Sequence, residues 1–277
     1  VNEYVEKYNP DVIYYDFGLG WQDKDIQYQM YADYYSRAKK NGQSVTVLQK
    51  ERDELHRTFA TMDLERGRMD ELTDYTWTTD TSAGPWFYHK NPTWEDSNAM
   101  IDMFVDIVSK NGVMILNVAP DYEGAFPSEM KNMLADFGAF TKQNGEGRTS
   151  ADAGHFKIEK SKARKEAKYG ASDIRYTCSK DGKTVYSFLL GWPAEREVTF
   201  HGVEARAAGN VRLLGGGALP HTINGDKTIT VTMPEVPVGR FAHGIKFSGF
   251  EPKPHPDGPF YKPNATWIPA DKAVVHG

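Results

Sequence analysis

Apolar and polar positions change their rhythm several times along this chain. Val1, Tyr4, Val5 and Tyr8 recur at the three- and four-residue spacing of a helical stripe. Asn9-Pro10-Asp11 then stops the helix, because proline lacks a donor and disfavours helix at the residue before it. The stripe is running from the first residue, without Met or a charged-then-apolar leader, and reads as entry into a longer protein. A terminal helix gives the same pattern. Asp11-Val12-Ile13-Tyr14-Tyr15-Asp16 is a nearly continuous apolar run closed by an acid, the pattern of a buried parallel strand. A helix is predicted from about Asp25 to Lys40, closed by Asn41-Gly42, and the next strand over 44–49. Residues 50–95 read as long, aromatic and irregular, and loops of that length inside a domain tend to be functional.

From Asp96 the helical rhythm returns. Met100, Ile101, Phe104, Val105, Ile107 and Val108 form one face, and Asn111-Gly112 is read as its left-handed cap. A further buried strand follows over 113–118, and Pro127 opens a helix towards Asn144-Gly145. Strand and helix alternate here as in an α/β layer on parallel strands. Past residue 150 a Lys/Glu-rich segment (157–168) leads to strands at 174–178 and 184–190, joined by Asp181-Gly182 as a hairpin. Strands at 197–201, 211–214, 228–233 and 243–247, with an Asn224-Gly225 turn, read as an antiparallel sandwich. Gly215-Gly216-Gly217 reads as a turn, and residues 251–277 as a Pro-rich extended tail.

Composition narrows the function classes. The 277 residues carry 33 Lys+Arg against 38 Asp+Glu, a net charge of −5 without basic blocks, which argues against a phosphate-tracking nucleic-acid binder. No apolar run approaches the roughly 18 residues of a membrane span. The one cysteine, Cys178, excludes a disulfide framework within the chain and reads as a buried small hydrophobe. The eight His are scattered, so neither a metal nor a cofactor is expected. No GxSxG elbow and no phosphate loop occur.

Asp16 is the sharpest chemical candidate. It ends a strand and precedes Phe17-Gly18-Leu19-Gly20-Trp21, and C-terminal strand ends face the active-site mouth in (β/α) barrels. A carboxylate there suits a nucleophile or a base; a helix-capping or loop-fixing aspartate fits the same position. Sugar chemistry with retention needs a second carboxyl roughly 5–5.5 Å away. Asp63, Glu65, Asp70, Glu71, Asp74 and Asp80 are available, each equally readable as a solvated salt-bridge partner, as is Arg52. Trp77, Trp86, Phe87, Tyr88 and Trp94 can form an aromatic wall for a sugar, or pack in a core.

Lys7-Tyr8-Asn9-Pro10-Asp11-Val12-Ile13-Tyr14-Tyr15-Asp16 resembles the nucleophile strand of retaining α-L-fucosidases. Asp63-Leu64-Glu65-Arg66-Gly67-Arg68, with Trp77-Thr78-Thr79-Asp80-Thr81-Ser82 and Trp86-Phe87-Tyr88, resembles the family's acid/base loop and tryptophan motif. Phe104 to Gly112, then Leu116-Asn117-Val118-Ala119-Pro120, Gly124, Pro127 and Asn144-Gly145-Glu146, continue the match in order. Leu190-Gly191-Trp192-Pro193 and the later strands look like its C-terminal sandwich.

The resemblance implies an α/β fold: a partial (β/α) TIM-type barrel lacking its N-terminal half (residues 1–150), an antiparallel β-sandwich (151–250) and the tail (251–277). It implies removal of terminal α-L-fucose from a glycan or oligosaccharide, with Asp16 as nucleophile and Glu65 as general acid/base. Glu71 and Asp80 are the fallback acids, and Arg52 and Trp86 contact the sugar. The mechanism needs Glu65 kept protonated, by burial against tryptophan, and Asp16 kept ionised by a neighbouring arginine. An aromatic wall favours the methyl of a 6-deoxy sugar. The family's first half, with the histidines that bind fucose hydroxyls, has no counterpart in these residues. Trp86-Phe87-Tyr88 replaces the usual Trp-Gly-Tyr, and Trp77-Thr78 a common Trp-Glu. A periplasmic, secreted or lysosome-like compartment is implied. An incomplete barrel leaves strand edges that allow a homo-oligomer. The competing readings are a non-catalytic carbohydrate-binding protein on a decayed barrel, and an interaction protein acting through its sandwich.

Overall fold

The computed structural model describes residues 1–50, 59–73, 75–149, 151–152, 169–205 and 208–253. Arg52, Asp74, the 157–168 segment and residues 254–277 of the tail lie outside that set. Five parallel strands form the first part: β1 (Val12–Tyr15), β2 (Thr46–Gln49), β3 (Thr61–Met62), β4 (Trp77–Ser82) and β5 (Gly112–Asn117). β1, β2 and β3 pair in parallel in that order, as do β4 and β5. A parallel bridge between Asp63 and Thr78 joins the two groups.

Helices lie on one side of this layer. α1 (Asn2–Tyr8) ends at Asn9, which takes the left-handed conformation. α2 (Lys24–Asn41) starts at Asp23, whose carboxylate accepts from the Asp25 amide, and stops at Gly42 with φ 64°. That positive φ is the state glycine adopts without steric cost. Gln27, Tyr31, Tyr34 and Ala38 are its buried stripe, and Tyr31 and Tyr34 pack with Val5, Leu19, Val47, Ile13 and Tyr15. α3 (Ser97–Ser109) is capped by Asp96, which accepts from the amides of Asn98 and Ala99. α4 (Ser128–Asn144) follows Pro127, and α5 (Glu146–Thr149) is one short turn.

β6 (Ala151–Asp152), β7 (Ile174–Ser179), β8 (Thr184–Leu189), β9 (Glu197–Phe200), β10 (Val203–Glu204), β11 (Asn210–Leu213), β12 (His221–Ile223), β13 (Ile229–Thr232), β14 (His243–Ser248) and β15 (Glu251–Pro252) make up the second part. They form a five-stranded sheet β11-β14-β8-β7-β6, a three-stranded sheet β12-β13-β9 and a ribbon β10-β15. Every pairing in these sheets is antiparallel. Val185, Phe200, Val231, Ile245 and Phe247 fill the core between the sheets. Tyr186 and Phe188, alternating with that face of β8, pack instead on Ile101, Val105 and Phe140 of α3 and α4. The two helices are therefore the layer between the parallel strands and the antiparallel sheets.

Four expectations change. β1 and β5 are half-open rather than buried: Val12 is 50% and Val113 49% exposed, because each strand packs on helices with one face only. The region read as irregular contains β4, buried along nearly all its length. The left-handed residue after α3 is Asn111 (φ 68°), while Gly112 already belongs to β5. A Cβ on Gly112 would meet the Trp77 ring at 2.5 Å, so that glycine serves close packing, not the cap. Of the α1 stripe only Val5 is buried. The 174–189 hairpin, with Gly182 at φ 68°, the triple-glycine turn and buried Cys178 stand as read. Among the described residues, no helix is long and apolar enough to cross a membrane.

Candidate active site

Residues two apart on a strand share a face, and in-register neighbours share it across the sheet. One face sends Ile13, Tyr15 and Val47 into α2. The opposite face carries Tyr14 and Asp16 from β1 and its end, Lys50 just past β2, Asp63 just past β3, and Thr78 and Asp80 on β4. Asp16 and Lys50 hold equivalent places, since Tyr15 and Gln49 are register partners.

Lys50 organises the cluster. Its ammonium lies 2.5 Å from Asp16 Oδ1, 3.1 Å from Asp80 Oδ2 and 3.3 Å from Glu65 Oε2. Because Asp16 Oδ1 and Glu65 Oε2 share one nitrogen, these two oxygens lie less than about 6 Å apart, which is compatible with a retaining pair. Asp16 and Glu65 are half exposed (54% and 51%), while Lys50 and Asp80 are largely covered (17% and 13%). Below them, buried Asp63 accepts from Tyr14 Oη (3.0 Å) and Thr78 Oγ1 (2.7 Å) and lies within hydrogen-bonding reach of Asp80.

The electrostatics follow from this packing. Burial alone would lower Lys50, but its hydrogen bonds to Asp16 and Asp80 outweigh that and hold it above the ordinary lysine range. Burial pushes Asp63 up to about 6; the Thr78 hydrogen bond opposes the rise, and Asp80, by hydrogen bond and charge, adds to it. Burial, with Asp63 and Asp80 adding to it, carries the Tyr14 phenol above the ordinary tyrosine range.

The loop carrying Glu65 is tied to β4. The Leu64 amide donates to Thr78 O and the Arg66 amide to Asp80 O, while Thr79 Oγ1 donates to the carbonyls of Leu64 and Gly67. Arg66 turns away from the acids: it donates to Gly84 O, and its guanidinium lies 4.5 Å from the Trp86 ring centre. Asn117, at the end of β5, donates to Trp86 O and Ser82 Oγ.

Asp16, Glu65 and Asp80 are therefore brought together, with Trp86 alongside the loop. Glu71 is exposed and has no contact with this group among the described residues. Trp77 is wholly buried, donating to Lys110 O, so it belongs to the core and not to a sugar-facing wall. Among the described residues the cation beside Asp16 is Lys50, and Glu65 is ion-paired and half exposed rather than buried against tryptophan. Sequence reasoning passed over Lys50 and Tyr14. The signal was present: Lys50 follows its strand as Asp16 follows β1, and Tyr14 sits two residues before Asp16. Among the described residues no cluster of three or more His, Cys, Asp or Glu is arranged to hold a metal ion.

Comparison with known proteins gives this arrangement its family. The family model described as Alpha-L-fucosidase matches residues 1–146, and that described as Alpha-L-fucosidase C-terminal domain matches residues 169–246. Tissue alpha-L-fucosidase of Rattus norvegicus is 26% identical over 183 residues, 64% of this chain and 37% of the rat protein. The Thermotoga maritima alpha-fucosidase solved in complex with fucose superposes with a TM-score of 0.65 at 22% identity, over 89% of this chain and 54% of that one. A Bacteroides thetaiotaomicron alpha-L-fucosidase solved as a trapped covalent intermediate gives 0.66 at 18% identity, over 89% and 58%. This chain thus spans little more than a third of the rat protein's length and just over half that of the solved enzymes. The structural likenesses establish a shared fold, and the match over residues 1–146, more than half the chain, places it by sequence: the chain belongs to the alpha-L-fucosidase family.

Proposed function

We propose that the protein carrying this chain is a retaining glycosidase that releases terminal α-L-fucose from glycans, with Asp16 as nucleophile and Glu65 as general acid/base. The five parallel strands are read as part of a (β/α) barrel wall whose C-terminal ends form the mouth of the site. The observation that carries the proposal is the pair of carboxyls, from two different strand ends, held on the single Lys50 ammonium. An oxygen–oxygen separation under about 6 Å is compatible with the close carboxyl pair that double displacement uses.

In this reading Asp16 attacks the anomeric carbon as the Glu65 proton passes to the departing oxygen. The glycosyl ester is then opened by water, whose proton returns to Glu65. Lys50 offsets the repulsion between the gathered carboxylates and holds Asp16 in place by an ion pair. Trp86, half-buried beside the Glu65 loop, offers an aromatic surface for the sugar. Arg52, assigned to sugar contact by the resemblance, lies outside the described residues.

The test is turnover of an aryl α-L-fucoside by the intact polypeptide. Asp16→Ala should drop to background and regain activity with azide, which replaces the missing nucleophile. Glu65→Ala should lose about 10²–10⁴ in rate on substrates with poor leaving groups. An active Asp16→Ala enzyme contradicts the nucleophile assignment. Fucose binding without turnover by the unmodified protein would favour the carbohydrate-binding reading instead.

A further inference from the structure

We infer that Asp80 is a positioning residue that keeps the Lys50 charge directed at Asp16 and away from Glu65, and that Asp63 secures Asp80 through a shared proton. The inference rests on the fucosidase reading of Asp16 and Glu65 and deepens it.

The argument begins with a conflict inside the site. A general acid must hold its proton until the leaving oxygen takes it, yet Glu65 sits 3.3 Å from an ammonium. A cation so close favours the ionised carboxylate and so works against the acid. The conflict shrinks if other groups take most of the ammonium's field. Asp16, at 2.5 Å, is one of them, but its charge disappears when the glycosyl ester forms. Asp80, at 3.1 Å, is the other, and it remains throughout the cycle.

Asp80 is built to stay in place. It stands on β4, two residues after Thr78 and therefore on the same face, with Ile115 of β5 as its register partner. Its Oδ2 meets Lys50, while its Oδ1 is buried with no nitrogen or hydroxyl donor among the described residues. The group within reach of the pair is the Asp63 carboxyl, whose own oxygens already accept from Tyr14 and Thr78. Two carboxyls this close do not both ionise readily, so one proton between them removes the repulsion and satisfies the orphaned oxygen. Among the described residues, the titratable groups facing Lys50 are then Tyr14, Asp16, Glu65 and Asp80, with Asp63 behind Asp80. Removing the Asp80 charge leaves Lys50, among the described carboxylates, to Asp16 and Glu65. In the glycosyl-enzyme the described carboxylate left to Lys50 is then Glu65.

The experiment is the pH profile of kcat/KM for an aryl α-L-fucoside with the intact polypeptide, for the wild type, Asp80→Asn and Asp63→Asn. The basic limb reports loss of the acid's proton. Asp80→Asn should move that limb to lower pH by about one unit, roughly the effect of a closer opposite charge. Asp63→Asn, which leaves Asp80 ionised and supplies an amide donor to its buried oxygen, should not move the limb downward. Circular dichroism of each variant establishes that it folds, and if Asp80→Asn does not, Asp80→Glu and the Asp63→Asn arm still carry the test. A uniform fall in rate with the limb unmoved in Asp80→Asn would overturn the inference while leaving the fucosidase reading intact. An equal downward shift in both variants would also overturn it. Wild-type protein without turnover would instead remove the reading on which it rests.

Discussion

A single buried carboxyl can set how the stability of this chain responds to pH. Asp102 on α3 is 2% exposed, with Oδ2 accepting from Asn98 and Oδ1 lacking a donor among the described residues. Burial, then the charges of Asp96 and Asp173, push it up to about 8. The folded state therefore binds this proton more tightly than the unfolded chain, where aspartate titrates near 3.9. Stability from Asp102 is present in full below about pH 4 and is lost as pH rises towards 8, by at most about 1.4 kcal/mol per pH unit. Asp63, pushed up to about 6, acts in the same direction over a narrower window. Asp102→Asn keeps the shape and abolishes the charge. It should match the wild type near pH 4 and exceed it increasingly towards pH 8, read from urea midpoints across that range. A variant less stable than the wild type at pH 8 would contradict the assignment.

The elements show where a sequence speaks and where it is silent. Helices were legible because their caps are local: Asp23 and Gly42 bound α2, and Asp96 and Asn111 bracket α3. The 174–189 hairpin was legible for the same reason, since Asp181-Gly182 defines the turn chemically. β4 was not, because Trp-Thr-Thr-Asp-Thr-Ser carries hydroxyls and an acid where a buried strand usually carries aliphatics. Its polar groups are absorbed by partners remote in sequence: Thr78 on Asp63, Thr79 on Leu64 O and Gly67 O, Ser82 with Asn117. β1 misled in the opposite sense, since an apolar run does not reveal that only one of its faces is covered. Asp16 was singled out by its strand-end position and Glu65 by the family motif, and the structure brings the two together, whereas Lys50 became visible only when β1 and β2 were set in register.

α3 also holds the junction between the parallel layer and the antiparallel sheets. Asp106 is fully buried, 2.5 Å from Arg175 Nε on β7 and 2.8 Å from Lys110 Nζ, and both cations are fully buried too. Burial lowers Lys110, with Asp106 opposing and Arg175 adding to the fall. The Lys110 carbonyl in turn accepts from Trp77 of β4 and Thr73. Asp106→Ala removes the carboxylate that two buried cations share, so it should cost about 3–5 kcal/mol. A loss below about 1 kcal/mol in denaturant unfolding would show that the junction stands without this carboxylate.

Taken as one molecule, the chain is a parallel layer whose strand ends collect acids around a lysine, braced from behind by helices and antiparallel sheets. Its central claim is that one of those acids forms a bond to the sugar. The most direct measurement is covalent labelling of the intact polypeptide with a 2-deoxy-2-fluoro fucosyl fluoride. The ring fluorine slows both displacement steps, and the fluoride leaving group lets the first proceed faster than the second. Digestion and peptide mass spectrometry should place one fucosyl adduct on Asp16, and the adduct should be absent from Asp16→Ala. An adduct on Glu65, Asp80 or any other residue, or steady turnover of the reagent with no adduct formed, would contradict the account.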